Sequence, residues 1–156
     1  MSQRLDYKTA SADAFKAMLQ LEHRVHKSGL EPLLLELVKS RASQLNGCAW
    51  CLDMHSKDAR ALGETEQRLY LLAAWRDAPC YSERERAALA WTEALTQLAS
   101  TADVPDEVYA QARRHFDEKQ LVDLTLAIIA INGWNRLNVA FRTDIGDYVS
   151  PRAAKG

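Results

Sequence analysis

Residues 32–63 read PLLLELVKSRASQLNGCAWCLDMHSKDARALG, and the inference of the fold starts there. Pro32 brings the fixed φ and missing N–H that suit the first turn of a helix, and Leu33, Leu34, Leu37, Val38 and Leu45 follow at helical spacing. Gly47 ends that helix, and Gly63 ends a second one that runs from about Cys48 to Leu62. Upstream, Ser11 can cap a helix reaching about Lys27, with Phe15, Met18, Leu19, Leu21 and Val25 as its apolar stripe. Downstream, Thr65 can cap a helix from Glu66 to Trp75, broken before Pro79. Ser82 with Glu85 forms a capping-box pattern that opens a helix through Leu98. A turn over Ser100–Pro105 leads to a short helix, Asp106 to Phe116. The last segment, Lys119 to about Phe141, is apolar on almost every face and reads as the buried central helix.

No stretch alternates long enough to make a sheet strand. The expected fold is therefore all-α: one domain over residues 1–156, with about six to seven helices. Its core spans about 11–142, residues 1–8 form an irregular lead-in, and 143–156 form an exposed tail. Composition agrees. Ala and Leu number 45 against 18 for Val, Ile and Thr, and Gly and Pro total only 10, a bias toward helix and away from turns. A net charge of −1 excludes the strongly basic footprint of a nucleic-acid binder. The apolar run Leu124–Ile131 is far shorter than the ~20 residues that span a bilayer. Three cysteines cannot all pair within one chain, and the N-terminus lacks the apolar core of a signal peptide, so the expected compartment is the cytoplasm.

One segment stands out chemically. On a helix, Cys48, Cys51 and His55 fall on one stripe, because steps of three and four residues return to the same face. Both cysteines lie near a helix start, where free N–H groups and the positive end of the dipole favour thiolate. A neighbouring imidazole can take a thiol proton and hold the resulting charge. The two thiols are not equivalent: Cys48 meets more free N–H groups, whereas Cys51 stands one turn from His55. Taken alone, Glu36 among Leu33, Leu34, Leu35, Leu37 and Val38 reads as an ordinary edge carboxylate. If the helices on either side of Gly47 form an antiparallel hairpin, however, Glu36 is 11 residues before the turn and His55 is 8 after it. They then differ in height by about one turn, within reach of contact or a bridging water.

Simpler roles cover the remaining candidates. A zinc site would have three ligands on one helix and would need His115 or Cys80 to complete it, so no metal ion and no cofactor is expected. His23 and His26 read as surface residues, His115 as a complement to a helix end, and Cys80 as a spectator. Trp75, Trp91 and Trp134 read as core. The row Asn132, Asn135 and Asn138 reads as structural, capping buried backbone groups or lining a helix contact.

Glu36, eleven intervening residues and then Cys48-x-x-Cys51-x-x-x-His55 resembles the motif of the alkylhydroperoxidase D-like, carboxymuconolactone decarboxylase-like superfamily. The segment Trp134-Asn135-Arg136-Leu137-Asn138-Val139-Ala140-Phe141 is similar to the C-terminal helix of its peroxidase-related members, and the likeness covers about residues 15–142. The resemblance implies an all-helical fold, a thiol peroxidase activity on hydroperoxides, and assembly as trimers or hexamers. It implies that Cys51 is the peroxidatic cysteine, as its closeness to His55 also suggests, that Cys48 resolves it, and that His55 with Glu36 relays protons. Trp50 departs from some peroxidase members, which carry another His there.

The expected protein is thus a peroxidase cycling through a Cys48–Cys51 disulfide, reset by a dithiol protein or small thiol. It is expected to be a homohexamer built as a trimer of dimers, without nucleic-acid or membrane partners. Two alternatives remain: a non-catalytic redox-sensing or assembly protein, and a decarboxylase or isomerase of a cyclic acid using His55 and Glu36 alone.

Overall fold

In the computed structural model, which describes residues 2–151, every side chain from Leu34 to Ser40 is buried. These seven residues belong to α3 (Pro32–Asn46), which packs on α4 (Ala49–Ala61), α6 (Glu83–Thr96) and α9 (Glu118–Phe141). Around them lie α1 (Tyr7–Ala10), α2 (Ala12–His26), α5 (Glu66–Leu71) running into a 3₁₀ turn (Leu72–Ala74), α7 (Leu98–Thr101) and α8 (Asp106–His115). The described residues contain no strand. None of their helices is long and apolar enough to cross a membrane.

The centre of the molecule is α3, not the more apolar α9. Along α9, Val122 and Ile129 are 68% and 55% exposed, so one stripe of that helix faces outward. Helix α3 tolerates burial on every face because its charged side chains at Glu36 and Lys39 find partners inside, although the buried Ser40 hydroxyl has none among the described residues. Lys39 pairs with Glu22 of α2, and Glu36 meets His55 of α4. Its apolar residues divide between two clusters: Leu34, Leu35 and Val38 pack near Phe116 and Leu124, and Leu37 packs against Leu72 and Trp75.

Helix ends follow local chemistry. Ser82 and Glu85 form the expected capping box on α6, and Asp117 with Gln120 forms another on α9. The chain has more helices than expected because two are single turns. The expected irregular lead-in contains α1, capped by the Asp6 carboxylate, and the expected turn after α6 begins with α7. The helix expected to reach Trp75 stops at Leu71 and tightens into the 3₁₀ turn. The expected exposed tail holds for Asp144–Asp147 and Val149, but Tyr148 is half-buried and Ser150 is only 3% exposed. Lys57 Nζ donates to the carbonyls of Gly146 (3.4 Å) and Tyr148 (3.0 Å), and Tyr148 Oη donates to Asp58 at 2.9 Å. The chain after α9 therefore straps across α4. Residues 152–156 of the expected tail lie outside the described residues.

Candidate active site

The turn between α3 and α4 sets the position of both thiols. Gly47 closes α3 in the left-handed region (φ 65°), a conformation that costs glycine little and other residues more. Its N–H donates to Gln44 O (3.3 Å), and that of Cys48 donates to Ser43 O (3.0 Å), which reverses the chain tightly. Cys48 is then the N-cap of α4 and not a residue of its first turn. Its Sγ accepts from the Cys51 N–H at 3.4 Å, as a serine or aspartate oxygen commonly does at this position. Both thiols are buried, at 1% exposure each.

One proton is shared between them. The Cys51 thiol hydrogen-bonds to Cys48 and, with the backbone N–H groups of Cys51 and Trp50 and the Asn135 side chain, lowers the Cys48 pKa to about 7 despite burial. The same hydrogen bond, with burial and the charge on Cys48, pushes the Cys51 thiol up. The pair gives up its first proton readily and its second with difficulty.

The hairpin brings the predicted carboxylate and imidazole into direct contact. His55 Nδ1 donates to Glu36 Oε2 at 2.7 Å, with both residues only 3% exposed, so no bridging water is needed. A carboxylate on Nδ1 fixes the tautomer that leaves Nε2 of neutral His55 as an acceptor. Glu36, His55 and Cys51 line one cavity of about 300 Å³, walled by Trp50, Trp134 and Phe15. All four sequence-predicted site residues thus come together, with Cys48 behind Cys51.

Two site residues were missed in the sequence reading. Asn138 Nδ2 donates to Cys51 Sγ at 3.4 Å, and its Oδ1 accepts from Tyr7 Oη (3.1 Å) and Thr143 Oγ1 (2.7 Å). Asn135 donates to Ser43 Oγ (3.0 Å), accepts from Asn46 (2.8 Å), and lowers the pKa of both cysteines. Their three-residue spacing on an apolar helix is a signal of one shared face, but nothing local says that the face meets sulfur. Tyr7 has its own pKa pushed up to about 12, by burial first and then by the negative charge of Cys51 and Cys48.

The other candidates occupy simpler positions. His23 and His26 are exposed, with His26 at the cavity edge beside Glu22. Trp75 and Trp91 are core residues, whereas Trp134 forms cavity wall and donates to Glu22 Oε2 at 3.1 Å. Ligand atoms of Glu36, His55 and Asp58 lie within 4.8 Å of one another and could hold a cation.

Comparison with known proteins places this geometry in a family. The profile of the carboxymuconolactone decarboxylase family matches residues 12–94. The uncharacterized protein YdfG of Bacillus subtilis (strain 168) is 47% identical over 140 residues, which are 90% of this chain and 95% of YdfG. A protein of unknown function from Agrobacterium tumefaciens, provisionally described as an antioxidant defence protein AhpD, superposes with a TM-score of 0.90 and 45% identity. That match covers 94% of this chain and all of the other. An uncharacterized peroxidase-related protein from Ralstonia eutropha JMP134, with an alkylhydroperoxidase AhpD core, shares the fold at 18% identity. Its TM-score is 0.78 over 90% of this chain and 74% of that one. With its helical hairpin, its paired thiols and these relatives, the chain belongs to the carboxymuconolactone decarboxylase family and to the alkylhydroperoxidase D-like superfamily around it.

Proposed function

We propose that this protein is a thiol-dependent peroxidase that reduces hydroperoxides through Cys51 and Cys48. The observation that carries the reading is that Cys51 shares one cavity with a directly hydrogen-bonded Glu36–His55 pair. The Agrobacterium relative's provisional link to antioxidant defence supports it. So does the thiol pair itself, which has no task in lactone decarboxylation.

In the proposed cycle, His55 Nε2 takes the first proton of the thiol pair, the remaining shared proton moves to Cys48, and the Cys51 thiolate, held by Asn138, attacks the distal peroxide oxygen. The O–O bond breaks, the alcohol leaves with a proton delivered through His55, and Cys51 becomes a sulfenic acid. Cys48 then loses its proton to the His55–Glu36 pair and attacks the Cys51 sulfur. Water leaves and the disulfide forms. A dithiol protein or small thiol returns two electrons and two protons. The active species is a cytoplasmic homo-oligomer, a hexamer built as a trimer of dimers.

The test is peroxide consumption with dithiothreitol as donor, together with sulfenic-acid trapping after one equivalent of peroxide. Turnover is expected, with the trap on Cys51 in Cys48→Ser and little reaction in Cys51→Ser. No peroxide consumption by the native protein overturns the reading. Trapping on Cys48 in Cys51→Ser, with no reaction at Cys51 in Cys48→Ser, reverses the roles of the thiols.

A further inference from the structure

The two cysteines, each only 1% exposed, line different spaces. Cys51 lines the cavity that holds Glu36 and His55, whereas Cys48 lines a second, more open cavity of about 560 Å³, and Trp50 borders both. The second cavity lies where α9 ends against the N-terminal segment, and its wall carries Arg4, Arg142 and Asp144 beside Cys48 and Asn138. Two arginines and one aspartate thus share a wall with one cysteine of the pair.

The arginines are differently held. Arg4 is tethered by its Nη1, which donates to the Ala140 carbonyl at 3.1 Å. Arg142 is exposed, and among the described residues its side chain makes no hydrogen bond or ion pair. Its backbone is left-handed (φ 53°, ψ 56°) at the C-cap of α9, a place where glycine is the usual residue. An exposed guanidinium on a left-handed backbone, lining the same cavity as Cys48, is an arrangement that core packing does not require.

We infer that this second cavity is where the reductant enters, and that it takes a small thiol bearing a carboxylate or sulfonate a few bonds from its sulfur. The inference rests on the peroxidase reading only in needing a Cys48–Cys51 disulfide to reduce. The incoming thiolate attacks Cys48 Sγ, the Cys48–Cys51 bond breaks, and its electron pair passes to Cys51 Sγ beside Asn138 Nδ2, where a proton follows. A second thiolate attacks the bound reductant's sulfur and releases Cys48. The sum is two thiols oxidised to one small disulfide and one protein disulfide reduced to two thiols. Peroxide and reductant therefore reach the pair from different sides.

The experiment uses the full chain oxidised with diamide, at low ionic strength. Reduction is followed by alkylation and mass measurement. Three thiols of similar size are compared at equal thiolate concentration: 2-mercaptoethanesulfonate, 2-mercaptoethanol and cysteamine. The sulfonate should react about 10-fold faster than cysteamine, with the neutral thiol between them and the advantage shrinking in high salt. The sulfonate-to-neutral rate ratio should fall toward one in Arg4→Ser/Arg142→Ser and persist in Arg142→Lys, a ratio that a general loss of folding quality does not mimic. Equal rates for the three thiols, or an advantage that survives in the double variant, overturn the inference. A charge preference in a protein that consumes no peroxide leaves the inference standing and removes the peroxidase reading. Failure of diamide to form the disulfide removes both.

Discussion

A shared proton is the most consequential feature at the scale of single residues. Cys48 is depressed to about 7 chiefly by the Cys51 hydrogen bond, so a thiolate titration at 240 nm should show one sulfur ionising near pH 7 and the other resisting. In Cys51→Ala that midpoint should rise toward the ordinary thiol value of about 8.5. Stability follows by linkage. A depressed acid contributes stability that is present above its unfolded pKa and lost as pH falls through its folded value. Urea unfolding of the reduced protein should therefore show a Cys48-dependent loss as pH falls from about 8.5 to about 7, absent in Cys48→Ala. Above that window the raised Cys51 pKa works in the opposite direction. For the relay, Glu36→Gln and His55→Ala should each slow peroxide reduction by ~10²-fold or more while circular dichroism stays helical, and unchanged rates would make the pair structural. Asn138→Ala removes a hydrogen bond to the Cys51 sulfur, and in the thiolate form that attacks peroxide such a bond to a charged group is typically about 1.5–3 kcal/mol, so reduction at fixed pH should slow by roughly 10- to 100-fold. The sequence made the two thiols, His55 and Glu36 legible because their spacing lies within one helical hairpin. Asn138 was not, because its contact with Cys51 crosses 87 residues of chain.

At the scale of elements, patterns that span several turns could be read and single turns could not. The Ser82–Glu85 box, the Pro32 start and the Gly47 stop each rest on local chemistry that tertiary packing had no reason to override. Helices α1 and α7 have four residues each, too few to show a period, and are held by neighbouring contacts. The strap after α9 was hidden for a related reason: its anchors, Lys57 and Asp58, lie on another helix. Gly47 offers a direct test of the hairpin. A Cβ built there meets nothing within 4 Å, so Gly47→Ala probes backbone conformation alone. It should cost about 1–2 kcal/mol by denaturant unfolding. No loss of stability would mean that the turn relaxes without a left-handed residue.

At the scale of the whole molecule, average hydrophobicity misidentified the centre. Helix α9 has the richer apolar sequence, but α3 is enclosed because Glu36, Lys39 and Ser43 find partners inside the bundle in His55, Glu22 and the Lys39 carbonyl. Periodicity records how apolar a face is and not which partner will cover it. The outward stripe of α9 with Val122 and Ile129, together with Tyr70 and Val149 at 74% and 75% exposure, leaves apolar surface that a single copy does not hide. Light scattering should accordingly give a multiple of 17.6 kDa, six-fold for a hexamer. A mass near that of one chain would overturn the expected assembly.

The position of Trp50 has an optical consequence. Its indole packs against the cluster that contains both sulfurs, borders both cavities, and lies under the Lys8 ammonium at 5.6 Å. Thiolates and disulfides quench indole emission to different degrees at close range, so the protein carries its own reporter of oxidation state. Intrinsic fluorescence in a stopped-flow mixer should resolve the oxidative and reductive halves of the cycle as separate phases without a label. In Trp50→Phe that signal should shrink to what the remaining tryptophans supply.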